Sequence, residues 1–134
     1  MPSDGSHGRP VVLLIDDSPD FRNLLRVALA LEQYEVVEAS DGQEGLRLFE
    51  YCQPGLVLLD IVMPEKDGIE TLREILRRKP DARVITFSGR SGAEEHSQVA
   101  LMLGARRAFT KPFPVADLLE EVRCQLGDMV PAGV

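Results

Sequence analysis

The sequence is poor in cysteine, and what it has is poorly placed for chemistry. Cys52 and Cys124 are the only two in 134 residues, and they form no CxxC pair. Both fall in helical patterns, so buried reduced thiols are expected rather than a disulfide or a metal site. Long apolar runs are also missing: none approaches the roughly 18 residues of a membrane span. The opening MPSDGSHGRP is rich in Ser, Gly and Pro and lacks the apolar stretch of a secretory signal. No membrane association and no export are expected, and a cytoplasmic setting fits. Cations are in deficit, with 15 Lys and Arg against 22 Asp and Glu, a formal charge of -7. That balance repels polyanions, so direct nucleic acid binding is disfavoured and cationic partners, metals included, are favoured. There is no internal repeat, low-complexity tract or second core.

What is present is enough for one domain. The chain is 44% apolar and 28% charged, close to soluble globular averages, and its length suits a single core. Residues 1–9 are expected to be a flexible leader, residues 10–126 the domain, and residues 127–134, GDMVPAGV after Leu126, a flexible tail.

Three short runs rich in branched residues, VVLLI at Val11 to Ile15, LVLL at Leu56 to Leu59 and VITF at Val84 to Phe87, predict central parallel strands buried on both faces. EVVEA at Glu35 to Ala39 and RAFT at Arg107 to Thr110 predict edge strands. Between them the apolar spacing turns helical, with Phe21, Leu24, Leu25 and Ala28 as one stripe and Val115, Leu118, Leu119 and Val122 as another. Ser18 before Pro19 predicts a helix start, and Ser40 to Gln43 and Ser91 to Glu94 match the capping box. Gln43 to Tyr51, Ile69 to Arg78 and Ser91 to Leu103 complete five helices. Five alternating units predict an α/β fold, a doubly wound five-stranded parallel sheet of order 2-1-3-4-5 between two helical layers.

In such a sheet, ligands bind beyond the carboxyl ends of the strands, where strand order reverses. The strands end there in Asp16 and Asp17, in Asp60, in Ser88 and in Lys111. Two carboxylates about 4 Å apart repel by ~4 kcal/mol at an effective dielectric near 20, so a cation is expected among them. Mg2+ suits best, since it takes one or two carboxylates with water and phosphate oxygens, whereas zinc would want His or Cys ligands. A metal ion, a lysine and a hydroxyl around one free carboxylate can neutralise phosphoryl oxygens while that carboxylate attacks phosphorus. Asp60 is central by position.

At these residues the chain resembles the response-regulator receiver family, the CheY-like branch of the flavodoxin-like three-layer sandwiches. The likeness rests on the acidic pair in LLIDDS, on LLDIVMPEKDG, on the SG after the fourth strand and on FTKPF, and it covers approximately Pro10 to Leu126. It implies that Asp60 takes a phosphoryl group from the phosphohistidine of a sensor histidine kinase or a histidine phosphotransfer protein. Asp17, Asp60 and the backbone carbonyl of Val62 would hold Mg2+, with Asp16 acting through water. Lys111 would pair with the phosphoryl group, Ser88 would donate to it, and Phe109 would be the aromatic switch that turns inward with Ser88. The Lys111–Pro112 bond resembles one that is cis in the family. The face of the fourth helix, fifth strand and fifth helix would meet an unidentified downstream target, and could also carry a homodimer. Ser88 for the commoner Thr keeps the hydroxyl, Phe109 for the commoner Tyr loses a phenolic hydrogen bond, and Glu65 and Lys66 depart from more usual small or apolar residues.

Several of these residues also have bland readings. Asp16 and Asp17 could be acids near a helix start, Ser88 and Gly89 a turn, and Lys111 a surface lysine; their joint placement favours a site. His7 and His96 are expected to be solvated, Gly68 to serve a turn, and Arg106 and Arg107 to be a solvated pair or a dock for an acidic partner. An enzyme of the haloacid dehalogenase-like phosphatase type would need an Asp two residues after its nucleophile, where this chain has Val62. A regulatory domain that assists its own phosphorylation, not an enzyme, is therefore expected. A receiver-like module that no longer takes phosphate would be expected to have lost the acidic pair, Asp60 or Lys111, and all are present. Val62 and Arg90 should border the path of the hydrolytic water, and slow self-dephosphorylation is expected.

Overall fold

The short branched runs and the helical stripes resolve into alternating elements. The computed structural model describes residues 8–62, 68–89 and 92–127. Along them run β1 (Val11–Ile15), α1 (Pro19–Leu31), β2 (Glu35–Ala39), α2 (Gly42–Cys52), β3 (Leu56–Asp60), α3 (Gly68–Arg78), β4 (Val84–Ser88), α4 (Ala93–Leu103), β5 (Arg107–Thr110) and α5 (Val115–Leu126). The pairings are parallel and the sheet order is β2-β1-β3-β4-β5, as the sequence predicts. Most of the expected leader and tail lie outside the described residues, as do His7, Glu65, Lys66, Arg90 and Ser91.

β3 and β4 are buried throughout, whereas β2 and β5 keep exposed positions, as edges do. Alternate side chains leave a strand on opposite faces. Val12 and Leu14 therefore join Leu25 and Leu29 of α1 and Leu118 and Val122 of α5 in one core layer. Leu13 and Ile15 join Phe49 of α2, Leu72 and Ile75 of α3 and Ala100 of α4 in the other. No helix among the described residues is long and apolar enough to cross a membrane.

Several local expectations are corrected. α1 starts as predicted, with Ser18 as N-cap accepting from Phe21 N and Pro19 in the first turn. Its buried stripe is Leu25 and Leu29 with Phe21 and Ala28 half-buried; Leu24 is 52% exposed and belongs with Val27 and Leu31 on the outer face. The α2 cap lies one residue later than predicted: Asp41 accepts from Glu44 N at 2.8 Å, and the Glu44 carboxylate accepts from Ser40 N at 3.0 Å. Asp wins because its carboxylate complements the helix dipole and it sits at the right offset from Glu44. α4 begins after Gly92, at φ 83°, and the box predicted on Ser91 lies outside the described residues. Cys52 is half-buried, its thiol pushed up by burial and by Glu35, but Cys124 is exposed. Two residues past buried Val122, Cys124 points about 200° away round α5. His96 is half-buried, and its Nδ1 is shut from solvent with no hydrogen-bond partner among the described residues.

The α1 assignment has a simple test. Leu25→Ala should cost about 2–5 kcal/mol through transfer and cavity effects, whereas Leu24→Ser should stay within about 1 kcal/mol. Urea denaturation of both variants distinguishes the faces, and equal losses would contradict them.

Candidate functional site

β1 and β3 are neighbours in the centre of the sheet, so the residues that leave their carboxyl ends meet. Asp16 is 0% exposed and Asp60 4%, while Asp17 is half-buried. One carboxylate oxygen from each of the three lies within 4.8 Å of the others. Lys111, just past β5, sets its Nζ 3.5 Å from Asp16 Oδ2 and 3.5 Å from Asp60 Oδ2. The same ammonium stands 4.1 Å above the centre of the Phe21 ring, a cation–π contact that holds it from the α1 side. Asp17, Ser18, Asp60, Val62, Gly89 and Lys111 line a cavity of about 160 Å³ beside this cluster.

Backbone donors fix two of the acids. Ser18 N donates to Asp16 Oδ1 at 2.8 Å and Val62 N to Asp60 Oδ1 at 3.0 Å. Burial first, and then the Asp16 charge, push the Asp60 carboxyl up from 3.8 to about 6; Lys111 and the Val62 amide pull the other way, and Asp17 adds a smaller upward push. Burial, more than the neighbouring acids, thus disfavours the charged form of Asp60, and one lysine does not offset the two together.

Two glycines make room for this arrangement. A Cβ on Gly68 would lie 2.3 Å from Ile61 Cα and 2.6 Å from the Asp60 carbonyl oxygen, so α3 abuts the end of β3 backbone to backbone. Gly68 is thus required by close approach rather than by a turn. A Cβ on Gly89 would lie 2.9 Å from Lys111 Cβ, so Gly89 leaves space for the lysine stem. Sequence reasoning missed this role of Gly89 and the contact of Phe21; the helix-start position of Phe21, one turn from the acidic pair, was the available signal.

The structure brings Asp16, Asp17, Asp60, Val62 and Lys111 together but directs Ser88 and Phe109 elsewhere. Ser88 Oγ is buried and donates to Ala93 O at 3.2 Å, at the start of α4. Phe109 is already inward, 6% exposed, its ring 5.0 Å from that of Phe113. Arg107 lies 4.7 Å above Phe109 and pairs with Glu121 at 2.8 Å, and Arg106 reaches Gln125. The Lys111–Pro112 peptide is cis.

Residues 12–123 match the response regulator receiver domain family. The chain belongs to that family. The receiver domain is 39% identical over 112 residues to the chemotaxis protein CheY of Halobacterium salinarum, covering 83% of this chain and 92% of that protein. It spans 44% to 48% of the length of several transcriptional regulators that it also matches. Among solved structures it is similar to a CheY-like receiver domain protein of Methanospirillum hungatei, with a TM-score of 0.83 at 30% identity over 90% of this chain and 96% of the other. It is also similar to response regulator TrrA of Thermotoga maritima, solved in complex with Mg2+-BeF, with a TM-score of 0.78 at 34% identity over 87% and 99%.

The acidic cluster of this receiver domain fits a hard divalent cation: its donors are all carboxylate oxygens, their spacing is close to that of ligands about 2 Å from one ion, and their charge is under-compensated. A pH-dependent prediction follows. Because Asp60 keeps its proton in the fold up to about pH 6 but loses it near 3.8 when unfolded, the native state binds more protons between those values. Its contribution is fully present below the unfolded value and is lost as pH rises to about 6. The gap is worth roughly 1–3 kcal/mol. At about pH 7 in chelator, Asp60→Asn should be more stable than the wild type by roughly that amount, and the advantage should shrink towards about pH 4. Urea midpoints at both pH values decide it, with a pH-independent difference counting against the charge account.

Proposed function

We propose that this receiver domain is a phosphorylation switch in which Asp60 accepts a phosphoryl group from the phosphohistidine of a sensor histidine kinase or a histidine phosphotransfer protein. The observation that carries the reading is the convergence of Asp60, Asp17 and Lys111 on one cavity, with Asp16 sealed behind them. Asp16, Asp17, Asp60 and the backbone carbonyl of Val62 would hold Mg2+. When bound, the ion would neutralise carboxylate and phosphoryl oxygens together. A carboxylate oxygen of Asp60 would form the bond to phosphorus as the bond to the donor nitrogen breaks, and the imidazole would depart with the displaced electron pair. Lys111, whose ammonium is shared between Asp16 and Asp60 at 3.5 Å from each, is placed to neutralise a further phosphoryl oxygen. The Mg2+-BeF complex of TrrA supports the assignment, beryllium fluoride being a phosphoryl mimic.

In this reading Ser88 must exchange Ala93 O for the phosphoryl group, which would couple the site to the start of α4. Phe109, already buried, would be retained inward by that exchange. The face of α4, β5 and α5 would then meet a downstream protein target or a second copy of the chain, by shifting a pre-existing equilibrium. Arg106 and Arg107 have partners within the fold, so an acidic partner would have to displace Gln125 and Glu121. We place the receiver unit at residues 10–126, in a cytoplasmic setting, as a regulatory domain rather than a turnover enzyme.

Incubation with Mg2+ and acetyl phosphate, followed by intact mass, should add one phosphoryl group to the wild type and none to Asp60→Asn. Incorporation elsewhere, or none in the wild type, would refute the assignment. Val62 lines the cavity and has no group to orient water, so the phosphorylated state should decay slowly. Val62→Asn should shorten its lifetime several-fold, and a lifetime that is unchanged or longer would count against this account.

A further inference from the structure

The acidic pair sits on a turn that is held from three directions. Asp16 N donates to Ala39 O at 3.1 Å, and Asp16 Oδ1 accepts from Ser18 N at 2.8 Å. The third hold is a long side chain: Arg22 Nη1, from α1, donates to the Asp16 carbonyl oxygen at 2.6 Å. At the same time Arg22 Nε donates to Glu38 Oε1 at 3.1 Å, and the other Glu38 oxygen meets Arg26 Nε at 3.3 Å. The Arg22 side chain is 18% exposed, so this fork works largely out of water.

A guanidinium is planar and rigid, and its donors have a fixed separation. Anchoring Nε on Glu38 therefore fixes where Nη1 points. The carbonyl that Nη1 grips belongs to the peptide joining Asp16 to Asp17, and the orientation of that peptide sets the direction in which Asp17 leaves the chain. Arg22 is not among the residues lining the cavity, and its charge is matched by Glu38, so its influence runs through the main chain.

We propose that Arg22 is a positioning residue for the metal site: it ties the Asp16–Asp17 peptide to β2 through Glu38 and holds the Asp17 carboxylate where one divalent cation can bridge it to Asp60. The proposal rests on the reading of the cavity as a Mg2+ site. Without the fork the peptide is free to rotate, and three carboxylates that repel one another relax apart. An arriving ion must then gather them again, at a loss of affinity.

The test is calorimetric titration of Mg2+, with no phosphodonor present, into the full chain and its Arg22→Ala, Arg22→Lys and Arg26→Ala variants, each checked for folding by circular dichroism. Arg22→Ala should raise the Mg2+ dissociation constant roughly tenfold, the size of effect that outer-shell partners of metal ligands have. Arg22→Lys keeps the charge but not the rigid fork, and should fall close to Arg22→Ala. Arg26→Ala removes the other partner of Glu38 without touching Asp16, and should bind as the wild type does. Acetyl phosphate labelling of Arg22→Ala should be slow at limiting Mg2+ and reach the wild-type rate at saturation, a shift in metal dependence that simple loss of stability does not produce. Wild-type affinity in Arg22→Ala or in Arg22→Lys overturns the proposal, as does an equal loss in Arg26→Ala. A wild type that binds no Mg2+ instead overturns the metal-site reading, and the proposal with it.

Discussion

Mutual repulsion among three carboxylates at one edge of the sheet is the constraint around which this receiver domain is organised. Asp16 and Asp60 are buried beside each other, and burying unpaired charge is among the costliest things a fold can do. The chain meets that cost with fixed donors: the amides of Ser18 and Val62, and the ammonium of Lys111 shared between two acids. These donors do not offset burial and the Asp16 charge, which together push the Asp60 carboxyl up. An acidic hole of this kind is a poor structural element and a good receptor for positive charge.

The rest of the molecule makes the hole rigid. Strands buried on both faces fix the carboxyl ends of β1 and β3 side by side, and the two aliphatic layers lock the strands in register. On the α1 and α5 side, four phenylalanines knit the site to the edge strand. Phe21 meets Phe87 and Phe113, the rings of Phe87 and Phe113 stack 5.4 Å apart, and Phe113 reaches Phe109. A cation caps each end of this chain of rings, Lys111 over Phe21 and Arg107 over Phe109. The α4 side is less well satisfied: among the described residues Thr86 Oγ1 and Ser97 Oγ are buried without hydrogen-bond partners.

The sheet order and the strand ends were legible in the sequence because branched apolar runs and helical spacing are imposed by burial itself. The convergence of Asp16, Asp17, Asp60 and Lys111 followed from topology once the strands were placed. Details that depend on a single residue of offset were not legible. Ser40 and Asp41 both can cap a helix, and only the position of Glu44 relative to each decided between them. Leu24 and Leu25 are adjacent and equally apolar, and which faces inward depends on the helix phase set by tertiary packing. The contact of Ser88 with Ala93 O is a matter of conformation, which a sequence pattern does not encode.

The contact at Gly68 carries a mechanical consequence. Where α3 meets the end of β3 there is no side chain between the two main chains, and Gly68 N donates to Ile61 O at 3.1 Å. Side chains normally act as cushions that absorb small displacements by changing rotamer. Here the joint is bare, so a tilt of the strand tip that carries Asp60 is delivered undamped to the helix behind it.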